Sequence, residues 1–106
     1  MFTTIRQYHC RPEDVEEVAR AADRHFAGPL SEMDGFIAYQ LIDCGSGHLF
    51  TTTVFSDREA SLRSNDLAAD FIRDQLGHAK IDRTSTTTGR VLVHRATSDA
   101  MELVHA

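Results

Sequence analysis

Residues 36–55 read Phe36-Ile37-Ala38-Tyr39-Gln40-Leu41-Ile42-Asp43-Cys44-Gly45-Ser46-Gly47-His48-Leu49-Phe50-Thr51-Thr52-Thr53-Val54-Phe55. Two strand-forming runs, Phe36–Asp43 and His48–Phe55, flank the short loop Gly45-Ser46-Gly47. Strands joined so tightly run antiparallel, so this stretch is a hairpin. Its first arm is nearly all apolar, the pattern of a strand covered on both faces. Tyr39 and Gln40 fall on opposite faces of that arm, because side chains alternate along a strand.

Outward from the hairpin, each flank repeats the same plan. Upstream, Asp34-Gly35 is a turn signal. Before it, Pro12–Leu30 reads as a helix. Pro12 suits the first turn, the acidic run Glu13–Glu17 suits the helix N-terminus, and Val15, Val18, Ala19, Ala22 and Phe26 form an apolar stripe. Gly28-Pro29 is expected to break or kink its end. Phe2–Cys10 is a strand with Phe2, Thr4, Arg6 and Tyr8 on one face and Thr3, Ile5, Gln7 and His9 on the other. Downstream, Ser56 or Asp57 can cap a helix over Arg58–Leu76 with Ala60, Ser64, Leu67, Ala68 and Phe71 on its buried side. A polar connector from Asp82 to Thr87 then leads to a last strand within Thr86–Arg95, centred on Gly89–Arg95.

The order strand-helix-strand-strand-helix-strand predicts an α+β, ferredoxin-like βαββαβ domain over residues 1–96. Its four-stranded antiparallel sheet carries both helices on one face. Residues 97–106 form a tail, with a short helical turn expected at Ala100–His105. Nothing in this plan covers the other sheet face, so a second copy is expected there.

Composition narrows the partners. The chain has 106 residues and a formal charge of −5, without any basic cluster. Nucleic-acid binders usually present a basic stripe to phosphates, so nucleic acid is not an expected partner. No apolar run approaches the ~20 residues that a membrane helix needs, and Arg6 and His9 interrupt the start of the chain, so a cytoplasmic protein is expected. Cys10 and Cys44 end strands separated by a third, which puts their Cα atoms about 10 Å apart, beyond the ~7 Å that a disulfide spans. Free thiols are expected.

The chain resembles the antibiotic biosynthesis monooxygenase-like superfamily of dimeric α/β-barrel proteins. The residues that carry the resemblance are Asp34-Gly35-Phe36, Tyr39, Asp43 with Gly45-Ser46-Gly47, the junction Val54-Phe55-Ser56-Asp57-Arg58-Glu59-Ala60, and the small-residue helix from Ser64-Asn65 through Ala68-Ala69. The resemblance spans roughly Thr3 to Ala96. It implies a homodimer formed through the open sheet faces and a small cavity between each sheet and its helices. It also implies oxygenation of a hydrophobic aromatic or polyketide-like molecule without a cofactor. A non-enzymatic dimeric small-ligand-binding protein is the alternative. Haem-degrading relatives use a tryptophan where this chain has Ser64, and this chain contains no Trp.

Candidate site residues follow from the faces. His25, on the flank of the first helix's stripe, is a candidate base, or else a histidine packed at the helix end. Asn65 is a candidate hydrogen-bond partner for a substrate carbonyl or an oxyanion, or else a surface carboxamide. Tyr39, Phe26, Ser64 and Phe71 are the expected substrate-binding wall. A buried Arg6 needs a partner, which is either a structural pair across the dimer or an acidic ligand, the pair being favoured. His9, Cys10, Cys44 and His48 gather at one sheet end, but their spacing matches no compact zinc motif, and no metal site is expected.

Overall fold

The hairpin forms where the alternation places it. In the computed structural model, which describes residues 1–97, β2 (Phe36–Asp43) and β3 (His48–Phe55) pair antiparallel, with Tyr39 opposite Thr53 and Ile42 opposite Phe50. The turn uses left-handed backbone at Gly45, Ser46 and Gly47. Gly47 is required twice over. Its φ is +81°, and a Cβ there would sit 1.9 Å from the Cys10 carbonyl oxygen. That closeness lets the Cys10 N–H donate to the Gly47 carbonyl at 2.9 Å, which ties the turn to the end of β1 (Phe2–His9).

β1 is the hub of the sheet. It pairs antiparallel with β3, Arg6 opposite Thr51, and on its other side with β4 (Asp82–Arg90), Arg6 opposite Thr86. The strand order is β2-β3-β1-β4, the expected ferredoxin-like sheet.

The last strand is displaced from its expected place. It occupies the polar stretch Asp82–Arg90, while Val91–Arg95 lies outside it and leaves Leu92 and Val93 79% and 81% exposed. The run Thr86-Thr87-Thr88 is β-branched and fits an edge strand whose outer side meets water. Polarity was thus a poor guide to this element. The turn expected at Ala100–His105 falls outside the described residues.

The first helix is a composite. A 3₁₀ turn at Pro12–Asp14 leads into α1 (Val15–Ala21), a π-helical segment (Ala22–Phe26) and α2 (Ala27–Ser31). Proline lacks an N–H and its ring crowds the carbonyl four residues earlier, here that of His25. The wider π turn just before Pro29 accommodates that demand, so the chain distorts without breaking. The long helix α3 (Arg58–Gln75) starts at Asp57, whose carboxylate accepts from the Ala60 N–H at 2.8 Å. Its buried residues Ala60, Ser61, Ser64 and Ala68 are all small, which lets α3 lie close to the sheet.

Both helical layers pack on the face bearing Thr4, Arg6, Tyr8, Leu49, Thr51, Thr53 and Phe55, all of them buried. One apolar cluster gathers Tyr8, Val18, Leu49 and Leu76, and a second gathers Phe26, Leu30, Phe55, Ala60 and Ala68. Among the described residues no helix covers the opposite face, where Ile5, Phe50, Val54 and Ala38 are only half-buried and Ile42 is exposed.

Candidate functional site

Between the sheet and the helices lies a cavity. Tyr8, Tyr39, Leu41, Leu49 and Thr51 line it from the sheet. Val18, Ala22 and Phe26 line it from the first helix, and Ala68, Phe71, Ile72 and Leu76 from α3 and its end, with Ile81 beside them. About 30 Å³ is open to the centres of water-sized molecules, room for roughly two waters. The rings of Phe26, Tyr39 and Phe71 fill much of the remaining space, with Phe26 at 5.3 Å from each of the others between ring centroids.

The lining is apolar apart from three hydroxyls. Thr51 is 5% exposed, and its Oγ1 is the one buried side-chain polar atom without a hydrogen-bond partner among the described residues. Such an atom normally finds a partner, because burying it unpaired costs free energy. Burial pushes the Tyr39 phenol well above its ordinary value; Tyr8 adds to the shift and Arg6 opposes it. Burial also raises Tyr8, against the opposing charges of Arg6 and Arg83. Both phenols are therefore neutral hydrogen-bonding groups at physiological pH and not bases.

On the same face of the sheet, beside the cavity, sits Arg6, fully buried. Its Nε donates to Asn65 Oδ1 at 3.1 Å, its Nη1 to Thr53 Oγ1 at 3.0 Å and its Nη2 to Ser64 Oγ at 2.7 Å. All three partners are neutral. Burial pulls its pKa below the ordinary value, but an arginine remains charged. The network continues from Ser64 Oγ to the Ser61 carbonyl, and Ser61 Oγ lies 2.7 Å from Thr4 Oγ1, which lies 2.9 Å from Thr88 Oγ1. A whole positive charge is thus held beside the cavity by dipoles alone.

The expected site residues divide into two groups. Phe26, Tyr39 and Phe71 line the cavity. Ser64 and Asn65 do not, and each is instead an acceptor for Arg6. His25 is corrected outright in its position: it is exposed and absent from the lining. Helical periodicity from Val18 and Ala22 puts residue 25 on the buried side, but the wider π turn delays the rotation, so Phe26 points in and His25 points out. The expectation for Arg6 is also corrected: its guanidinium donates to neutral side chains of its own chain, on α3 and β3, and not across a dimer.

Thr51 was missed in the sequence. Its signal was the alternation Leu49, Thr51, Thr53, Phe55, which places a threonine on the core face. At the sheet end, the His9 and His48 rings lie tilted at 55° with centroids 4.8 Å apart, Cys10 is buried and Cys44 exposed as free thiols, and no group of three metal-ligating side chains occurs among the described residues. No helix of the described residues is long and apolar enough to cross a membrane.

No protein-family profile and no curated protein sequence matches the chain. Solved structures do. A candidate antibiotic biosynthesis monooxygenase from Deinococcus radiodurans superposes with a TM-score of 0.68 at 18% identity, covering 92% of this chain and 98% of its own. An antibiotic biosynthesis monooxygenase superposes at 0.65 and 18% identity, covering 88% and 100%. The chain shares the fold of these two proteins. A dimeric ferredoxin-like protein from an uncultured marine organism shares this fold at a TM-score of 0.67 and 11% identity, covering 92% of this chain and all of that one. At such identities the likeness concerns the fold and carries no side-chain role across.

Proposed function

We propose that the chain works as a homodimer which takes a hydrophobic aromatic or polyketide-like molecule into this cavity and oxygenates it without a bound cofactor. The observation that carries the reading is the cavity itself: an apolar pocket with one unpartnered buried hydroxyl, Thr51, in a fold shared with antibiotic biosynthesis monooxygenases. Apolar pockets with a few placed polar groups are the usual form of small-molecule sites. Dimerisation through the open face would cover Ile5, Phe50 and Val54, and the marine relative with this fold is described as dimeric.

The chemistry follows from what the lining lacks. No lining side chain is a base at neutral pH, so an activated CH₂ flanked by aromatic or carbonyl groups gives up its proton to water. The field of Arg6 favours the resulting anion. That carbanion reduces O₂. One oxygen atom stays on carbon as a carbonyl, the other leaves as water with both hydrogens, and the carbon is oxidised by four electrons as O₂ is reduced by four. Admission of a ring requires the Phe26 and Phe71 side chains to turn aside. The π segment that carries Phe26 is a natural place for that movement.

Oxygen consumption with a panel of hydroxylated polycyclic aromatics tests the reading. Uptake with a product that has gained one oxygen and lost two hydrogens is expected. The absence of any base from the lining favours a second reading, a dimeric carrier that binds such molecules unchanged. Tight binding with no oxygen uptake across the panel would establish the carrier and overturn the oxygenase.

A further inference from the structure

The cavity has a polar pole. Thr51 lies directly across the strand pair from Arg6, on the same face of the sheet. Thr53, the next residue on that face, already accepts from the Arg6 guanidinium. Thr51 lines the cavity, and its Oγ1 is buried without a partner beside a cation held only by neutral groups. A cation orients a neighbouring hydroxyl with its oxygen toward the charge and its proton away. The proton of Thr51 is thereby directed away from Arg6, as a donor awaiting an acceptor. The titratable and charged groups around this pole among the described residues are Arg6, Tyr8, Tyr39 and Arg83, two cations and two phenols. No carboxylate lines the cavity to compete for the donor.

We infer that Thr51 Oγ1 is the anchor for a ligand oxyanion, so that the cavity takes phenols and enols in their ionised form, with the anionic oxygen at Thr51 and the ring among Phe26, Tyr39 and Phe71. This deepens the proposed function and rests on its reading of the cavity as a small-molecule site. It assigns the specificity of that site to a threonine on β3 and a cation held on β1. The cost of keeping Arg6 buried without a carboxylate is then offset when the ligand brings the negative charge.

The test compares two probes of similar shape, 4-nitrophenol and nitrobenzene, in the full chain. The phenolate of 4-nitrophenol absorbs visibly, so its ionisation when bound is read directly. The expected result is binding of both, with bound 4-nitrophenol ionising about one pH unit below the free compound, a tenfold preference for the anion. Thr51→Val keeps the shape and removes the hydroxyl, and it should abolish that displacement while nitrobenzene binding persists. If nitrobenzene binds but 4-nitrophenol ionises as in water, or if Thr51→Val changes nothing, the anchor is overturned and the cavity reading stands. If neither compound binds, the cavity reading fails and the anchor falls with it.

Discussion

Arg6 Nη2 donates to Ser64 Oγ at 2.7 Å, a bond from the central strand of the sheet to the buried side of the long helix. It joins two elements 58 residues apart in sequence at a point where neither meets water. A buried guanidinium is tolerable only while its N–H groups find acceptors, and those acceptors are single side chains of α3 and β3. The helix is therefore positioned over the sheet by this charge as well as by apolar packing.

Removing one acceptor exposes that dependence. Ser64→Ala leaves an Arg6 N–H unsatisfied in a buried site and is expected to cost about 2–3 kcal/mol, the upper range for a hydrogen bond to a charged group. Urea unfolding gives the number. A change under about 0.5 kcal/mol, the scatter of ordinary surface substitutions, would mean that the guanidinium finds another partner.

Thr51 should behave in the opposite sense. Its hydroxyl is buried and unpartnered, so Thr51→Val relieves a desolvation cost and fills the same volume with a methyl group. The variant is expected to be more stable by about 1–2 kcal/mol, raising Tm by roughly 4 °C or more for a domain of this size. A gain in stability accompanied by loss of the phenolate preference is what a binding group kept at the expense of stability produces. Calorimetry that found the variant less stable would show that an ordered water already satisfies the hydroxyl.

The phenols set the alkaline limit. Both Tyr39 and Tyr8 are held above the ordinary tyrosine value of 10.0, chiefly by burial. In the unfolded chain they ionise near that value, while in the folded chain they keep their protons. Above it the unfolded state binds fewer protons, so stability falls as pH rises. The contribution is fully present below about pH 10 and is lost as pH climbs toward the folded values. Unfolding curves between about pH 8 and about pH 11 should show this decline, made shallower by Tyr39→Phe. An unchanged slope in that variant would place the Tyr39 phenol in contact with solvent.

The strongly patterned parts of the architecture were legible in the chain. The hairpin at 36–55 followed from two β runs and a glycine pair, and α3 from its cap at Asp57 and its small-residue stripe. Two elements were not. The strand expected within Thr86–Arg95 overlaps β4 only at residues 86–90, because an edge strand with a wet outer side need not be apolar and its threonines read as a connector. The π turn at Ala22–Phe26 has no local signature except Pro29 downstream, and it alone turned His25 out of the site. The cavity wall at Phe26, Tyr39 and Phe71 was legible from side-chain faces. Its polar pole was not. Alternation from Leu49 to Phe55 puts Thr51 and not Thr52 on the core face, but only the pairing of β3 with β1 reveals that Thr51 stands beside Arg6.

The bare face of the sheet carries the last prediction. Ile5 lies on β1, at the middle of that face, flanked by Thr52 on β3 and Thr87 on β4. Ile5→Glu leaves the helix-facing residues Thr4, Arg6 and Tyr8 untouched but places a charge where a second copy would pack. A carboxylate buried there without a partner costs far more than the apolar contact it replaces. The wild-type chain is expected to sediment as a dimer and the variant as a folded monomer, with circular dichroism unchanged. Because the variant alters only the outer face, retention of 4-nitrophenol binding in the monomer would show that each cavity is complete within one chain. A wild-type chain that sediments as a monomer at all concentrations would remove the dimer from the proposed function. The open face would then be a surface that water covers.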